Sequence, residues 1–447
     1  MEQIKILHIN DLHSHFEKFP KIERFFKSHA EGTTLAFDIG DNVDRSHPWT
    51  EATLGQANIK LLNRLNLTGA TIGNNEGLSL EHDSLDHLYD EANFPIILSN
   101  IKDNGQEPEW AIEKMIVETE TGLKIGVLGL TYPYPLAYIP FGWDIKDPLE
   151  SLDRVLPTLD CDFTILLSHL GVRYDEKIAN EYDIDLILGA HTHHVFEVGV
   201  EKNGTLLAAA GCYGEYIGEI TLEFDEQKRL ISSDIHAVPT NSLPAEKPDL
   251  TTINSWKIRG EKLLAEKDHI SFGHALTNTA PNFEASNLLA RIFCDYADVP
   301  AAILNSGLIV YDFPQEISPQ ELLEILPHSM RLVRYKVSGK ELKEILPEVT
   351  NVASLLKTQQ IHGMGFRGKY FGDLILYGMS YQVYNYKEEF LYQGQEIEDE
   401  KEYEFVVPDQ YYFAKYFPSL KNSGEAEILF PKFLREIVYN YLKGNHG

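Results

Sequence analysis

The stretch Thr34-Leu-Ala-Phe-Asp-Ile-Gly-Asp41-Asn-Val-Asp44 decides the fold. An apolar run closed by glycine reads as a strand buried on both faces. The carboxylate of Asp41 then falls just past the strand's C-terminal end, the edge where α/β folds place ligands. Four other segments of the first half repeat this arrangement. Ile4–Ile9 runs into Asn10-Asp11-Leu-His13, Gly69–Ile72 into Gly73-Asn74, Thr164–Leu167 into Ser168-His169, and Asp185–Leu188 into Gly189-Ala-His191-Thr-His193. Five strands thus bring seven candidate metal ligands to one edge: Asp11, His13, Asp41, Asn74, His169, His191 and His193.

Carboxylate, amide oxygen and neutral imidazole suit Zn, Mn, Fe, Ni or Co, and these seven donors exceed what one tetrahedral ion takes. Two divalent ions are expected, with Asp41 as the bridging carboxylate. A pair about 3.5–4 Å apart can hold both an attacking hydroxide and a phosphoryl oxygen during in-line displacement. A lone His after a strand is ordinarily a hydrogen-bonded loop residue, but that account does not explain five such motifs in series.

Taken in order, Asp-x-His, Gly-Asp, Gly-Asn, Ser-His and Gly-x-His-x-His resemble the calcineurin-like metallophosphoesterases. In particular, they resemble the two-domain family of 5′-nucleotidases, UDP-sugar hydrolases and cyclic phosphodiesterases. The resemblance covers both halves of the chain and is sharper in the first. It implies an α/β fold, a four-layer αββα sandwich of two mixed sheets followed by a smaller α/β C-terminal domain that binds the substrate's base or sugar. It also implies one ion on Asp11, His13, Asp41 and His193, and another on Asp41, Asn74, His169 and His191.

A chain of 447 residues is too long for one ordinary core. Three prolines between Pro239 and Pro248 suggest a boundary, and Leu250–Lys267 reads as a charged helix. The expected division is residues 1–245, a linker helix over 246–268, and a substrate domain over 269–447. In the first part a helix is expected over Glu51–Leu65, a hairpin around Thr121-Gly122, and a helix over Leu149–Leu159, with closing strands at Leu206–Ala210 and Ile217–Phe224. In the second, helices are expected over Asn287–Tyr296 and Pro431–Leu442, with strands at Ala301–Leu304 and Arg331–Val337. Ser318-Pro-Gln-Glu321 and Ser338-Gly-Lys-Glu341 are capping boxes that open two further helices.

With 39 basic against 68 acidic residues the net charge is −29, which argues against nucleic-acid and anionic-membrane partners, since both need basic patches. The expected partner is a small phosphorylated molecule, for which metal ions would supply local positive charge. Met-Glu-Gln-Ile-Lys at the N-terminus has no export-signal pattern, and Cys161, Cys212 and Cys294 are an odd, widely spaced set that suits reduced thiols. A cytoplasmic location is therefore expected, unlike that of the many exported family members.

Two departures from the family pattern bear on activity. The usual Gly-Asn-His-Glu, followed by an Asp, carries a His/Asp pair that steadies the transition state. Here Asn75 stands in place of the His and Leu78 in place of the Asp. Asn75 can donate a neutral hydrogen bond to a phosphoryl oxygen but cannot shuttle a proton, so either activity is lower, or the leaving group is good, or another His takes the role. His82 and His194 lie close to the site in sequence, although an ordinary surface His is the better account of each. In the second half, Asn305-Ser-Gly307 lacks the phosphate-gripping Arg that usually follows. Arg331, Arg334 and Arg367 are the candidate replacements, and His328 or Tyr411 the candidate to stack a base.

The expected function is a dimetal phosphoesterase acting on a nucleotide, nucleotide sugar or cyclic nucleotide through attack of metal-bound hydroxide on phosphorus. The alternative is a low-turnover nucleotide- or metabolite-binding regulatory protein that retains the metal site.

Overall fold

The computed structural model describes residues 1–361 and 365–444, the side chain of Leu136 excepted. The chain forms two compact units, Met1–Glu261 and Lys262 onward. They divide within the helix Asp249–Ala265, which lies inside the segment anticipated as a linker. Trp256 of that helix is buried against Phe16, Phe19 and Trp49, so this part of the helix belongs to the core of the first unit.

The first unit is a sandwich of two mixed sheets with helices outside, the four-layer α/β arrangement. One sheet runs, in spatial order, Leu230–Pro239, Tyr216–Phe224, Glu2–Ile9, Thr33–Asp38, Gly69–Ala70, Ile96–Ile97 and Ala111–Ile112. The other runs Val200–Lys202, Thr205–Ala209, Leu186–Gly189, Phe163–His169, Lys124–Thr131 and Lys114–Glu118. Glu2–Ile9 and Thr33–Asp38 are parallel, as are Phe163–His169 and Leu186–Gly189, so each pair brings its C-terminal ends to the same edge. Alternation within the strands builds the inner layer. Ile4, Ile6, Leu35 and Phe37 meet Ile125, Val127, Ile165 and Leu167 there. Opposite-facing residues of the second sheet, Leu128, Leu166 and Ile187, pack on Leu152, Val155 and Ile178 of the helices Pro148–Val155 and Val172–Glu181.

Two expected elements differ. The helix anticipated over Glu51–Leu65 is broken into Pro48–Thr53 and Gln56–Leu62, because Leu54 and Gly55 take left-handed φ angles of 48° and 89°. The break turns Asn58 inward, where its amide donates to Asn42 and Ser14 beneath the ligand-bearing loops. The strand anticipated over Gly69–Ile72 pairs only at Gly69 and Ala70.

In the second unit a five-stranded sheet runs Leu374–Tyr377, Ala302–Asn305, Glu402–Pro408, Leu332–Ser338 and Glu425–Leu429. Ala302 and Leu304 face the helix Glu284–Ala297, while Ile303 points the other way to the helix Gly339–Leu356. Both capping boxes are present: Ser318 caps Pro319–Ile325 with Glu321, and Ser338 caps Gly339–Leu356 with Glu341.

Candidate metal centre

At the shared edge the loops after Glu2–Ile9 and Thr33–Asp38 run side by side and are zipped by backbone bonds. Asp11, His13 and Ser14 donate to the carbonyls of Gly40, Asp41 and Asn42 at 3.0, 2.9 and 2.8 Å. This brings Asp11, His13 and His193 into one group and Asp41, His169 and His191 into a second, with the ligand atoms of each group within 4.8 Å of one another. Asn74 opens the helix Asn74–Ser79, directly after Gly73. A Cβ at Gly73 would lie 2.0 Å from Asp41 Oδ1, so only glycine lets the two loops approach this closely.

The two groups touch. His13 Nε2 lies 3.2 Å from His193 Nε2 and 3.7 Å from Asp41 Oδ2, and His169 Nε2 lies 3.4 Å from Asp41 Oδ1. Asp41 therefore faces both sets of imidazoles, as a bridging carboxylate must. His169 Nδ1 donates to the Ile39 carbonyl at 2.8 Å, which orients the ring and turns Nε2 toward Asp41. The Oδ1 of Asn74 is buried with no hydrogen-bond partner. Four imidazoles and two carboxylates converge here beside that buried acceptor, which is costly to leave unpaired unless a cation meets it, so this donor set fits a pair of divalent ions.

The electrostatics point the same way. Burial alone would lower the pKa of His169, but Asp41, Asp11 and the Ile39 carbonyl push it up to about 10. Its hydrogen bond to Asp11 likewise raises His193 to about 10. Burial opposes ionisation of Asp11 and Asp41, yet the surrounding imidazoles hold both carboxyls below their ordinary values. His191 is pushed down to about 4, chiefly by burial. Two carboxylates at this edge attract positive charge, and His191 stays a neutral donor.

Two braces were not anticipated. Glu76, 1% exposed, accepts hydrogen bonds from the backbone N–H groups of Asp41, Val43 and Gly73 at 3.0, 2.8 and 2.9 Å, holding both loops with one carboxylate. Asn10 donates to Asp11 Oδ2 at 2.8 Å and to the Gly211 carbonyl at 2.6 Å, while the His191 N–H reaches Asp11 Oδ2 at 3.1 Å. The signal for both was position, since each adjoins a ligand motif, Asn10 beside Asp11 and Glu76 two residues beyond Asn74.

Several sequence-derived assignments need correction. Asn75 is turned inward: its amide lies 3.0 Å from His13 Nδ1 and 3.2 Å from the Val43 carbonyl, and its backbone N–H donates to Asp41 Oδ1 at 2.7 Å. His82 sits apart from the Asp41 cluster. Its two ring nitrogens lie 3.1 Å from Asp86 and 3.4 Å from Asp103, and its face stacks on Trp143 at 3.9 Å. His194 pairs with Thr192 through Nδ1. In the second unit His328 and Tyr411 are wholly buried, so neither offers a face to a ligand. His328 donates to the Leu308 carbonyl and accepts from the Arg367 N–H, whereas Tyr411 stacks on Phe417. Arg331 is 7% exposed and packed over Phe430 and Phe433, a core role. Arg334 is ion-paired with Glu427 at 2.5 Å. Arg367 remains exposed at the surface of its unit.

A parallel-edge sandwich with two His/carboxylate groups around one aspartate defines a metallophosphoesterase site, and the comparisons agree. The calcineurin-like phosphoesterase pattern matches residues 4–195, and the 5′-nucleotidase C-terminal domain pattern matches residues 264–415. The uncharacterized metallophosphoesterase YunD of Bacillus subtilis strain 168 is 35% identical, over 98% of each chain. Among solved structures, the NAD nucleotidase of Haemophilus influenzae aligns with a TM-score of 0.65 at 17% identity, over 99% of this chain and 96% of that one. The 5′-nucleotidase precursor of Thermus thermophilus aligns with a TM-score of 0.60 at 19% identity, over 99% and 96%. The chain belongs to the metallophosphoesterases that join a calcineurin-like domain to a 5′-nucleotidase C-terminal domain. It is a phosphoric ester hydrolase of that family. Among the described residues no helix is long and apolar enough to cross a membrane.

Proposed function

We propose that the protein hydrolyses a small phosphorylated metabolite, most simply a nucleotide, nucleotide sugar or cyclic nucleotide, at a centre of two divalent ions. Asp11, His13, Asp41 and His193 would hold one ion, and Asp41, Asn74, His169 and His191 the other. The observation that carries this reading is the convergence of two His/carboxylate groups at Asp41, beside the buried Asn74 Oδ1 that no hydrogen bond satisfies. When bound, the ions supply Lewis acidity toward phosphoryl oxygens and acidify water toward neutral pH.

The chain's own residues set the geometry. Glu76 keeps the Asp41 and Asn74 loops together, Asn10 aims Asp11, and the Ile39 carbonyl orients His169. Asn75 anchors His13 and carries no titratable proton, so the leaving group departs without a general acid at this position. That feature also favours the second reading, a slow-turnover metabolite-binding protein with an intact metal site. The similarity of the second unit to 5′-nucleotidase C-terminal domains supports a nucleotide-like substrate, with exposed Arg367 as a candidate contact. Three unpaired cysteines support a reducing, cytoplasmic setting.

A screen of phosphorylated metabolites with Mn, Zn, Fe, Co or Ni, run beside Asp41→Asn, tests the proposal. Turnover that needs the metal and is lost in the variant is expected. Failure of every phosphoester under every metal overturns the enzymatic reading.

A further inference from the structure

His328 and Tyr411, the rings expected to stack on a substrate, are wholly buried in the second unit, but exposed aromatic rings do stand at the metal centre, on loops of the first unit. Tyr134 is 38% exposed, with its ring centroid 6.1 Å from that of His191. It leans on Tyr132 at 4.6 Å, and Tyr132 in turn stacks on His191 at 4.6 Å. These tyrosines follow the strand Lys124–Thr131, in which Thr131 pairs with His169, so they leave the sheet at the edge that carries the ligands. Tyr213 is 39% exposed on the other flank, 5.6 Å from His13 and 5.8 Å from His193, and is braced by His15 at 4.2 Å.

The backbone adds an independent observation. Tyr213 has φ of 57°, a left-handed conformation that bulky side chains rarely adopt, and its N–H is tied to the Asp11 carbonyl at 2.8 Å. This conformation sets the ring beside two ligand imidazoles. One half-exposed, buttressed tyrosine thus stands on the flank of each ligand group, and neither ring contributes to the apolar core.

Resting on the phosphoesterase reading above, we propose that Tyr134 and Tyr213 are specificity-determining residues that contact a planar aromatic group attached to the phosphoryl centre. The substrate class is then phosphoesters bearing a nucleobase or aryl group close to phosphorus, preferred over purely aliphatic phosphates. The π-face is the recognition element, because stacking needs no particular pattern of donors.

Phenylphosphonate and methylphosphonate, which the enzyme cannot hydrolyse, separate recognition from turnover. Binding of each to the full-length, Mn-loaded protein is measured by calorimetry, with turnover of p-nitrophenyl phosphate followed in parallel. Wild type is expected to favour phenylphosphonate by roughly five- to a hundredfold, the range for a base on an aromatic ring. Tyr134→Ala and Tyr213→Ala should each shrink the ratio, and the double variant should bring it near one. The Phe variants should keep it, and Leu variants, which preserve bulk without a π-face, should lose it even if an Ala variant folds poorly. A ratio near one in wild type, or an unchanged ratio in a metal-loaded double variant, overturns the proposal. If the ratio behaves as expected but no phosphoester is turned over, the tyrosine contact stands and the enzymatic reading falls. Turnover with a ratio indifferent to both tyrosines leaves the enzymatic reading standing and removes the tyrosine contact.

Discussion

Asp175 offers a quantitative test of the first unit's architecture. It lies behind the ligand-bearing edge, 2% exposed, accepting a 2.5 Å hydrogen bond from Ser168 Oγ on one oxygen while the other oxygen has no partner. Burial pushes its carboxyl up to about 8 from 3.8, opposed by the Ser168 bond and by His169, with Glu176 adding slightly to the rise. The folded state thus prefers the protonated acid, whereas the unfolded chain releases the proton near pH 3.8. Folding loses stability as pH rises through this window, and above pH 8 the penalty is constant. At 1.36 kcal/mol per pH unit, about 4 kcal/mol of stability is gone by pH 7. Asp175→Asn removes the ionisation and keeps an acceptor for Ser168, at a cost of about 1–3 kcal/mol for unpaired amide hydrogens. The variant should therefore gain roughly 2 kcal/mol near pH 7, on the order of 4–8 °C in melting temperature. Melting curves from pH 5 to pH 8.5 in the presence of a chelator, which removes the influence of bound metal, should diverge steadily up to pH 8 and run parallel above it. Wild-type and variant curves that are parallel throughout would show that Asp175 is ionised in the fold and refute the reasoning.

Elemental analysis after Mn or Zn reconstitution should give two ions per chain in wild type and one or none in Asp41→Ala, with His82→Ala unchanged. A wild-type count of one or below rules out the two-ion centre. Glu76→Gln cannot satisfy the three N–H groups its carboxylate now accepts, so Mn affinity should fall about 10–100-fold. Titration calorimetry reads this, and an unchanged affinity removes Glu76 from the bracing role. Without an acid at Asn75, wild-type rates should depend steeply on leaving-group pKa, with p-nitrophenyl esters far ahead of alkyl monoesters. Asn75→His with Leu78→Asp should then raise the alkyl-ester rate by the larger factor, up to the 10²–10⁴ or so of a positioned acid, and equal gains on both esters would sink this account.

What the sequence made legible follows from how chemistry is written into it. Ligand residues at strand ends carry a local signature, an apolar run followed by Asp, Asn or His, and the structure gathers Asp11, His13, Asp41, His169, His191 and His193 into two groups. Core strands of the sandwich were visible because both faces are buried. The edge strand Leu230–Pro239 was not, since its first five residues are all exposed and only Ile235 and Ala237 are buried. The break at Leu54-Gly55 was hidden because apolar spacing continues through it. Least legible were the roles of His328, Arg331 and Tyr411. Residue type suggested recognition, but burial and partners such as Leu308, Phe433 and Asn305 assign them to the core, and type alone does not reveal burial.

The same edge explains why Glu76 and Asn10 are there at all. Asp11, His13, Asp41, His191 and His193 all have positive φ, between 46° and 71°. Such conformations cost about 1–2 kcal/mol per residue, and side chains other than Asn and Asp rarely tolerate them. Repulsion between the Asp11 and Asp41 carboxylates adds to that cost in the absence of cations. Left alone, these loops would relax and scatter the donors. Hydrogen bonds from three backbone N–H groups to Glu76, and Asn10's links to Asp11 and Gly211, oppose the relaxation from beneath. These hydrogen bonds tie the donor loops to one another and to the fold, so removing a brace should weaken metal affinity more than it changes the overall fold.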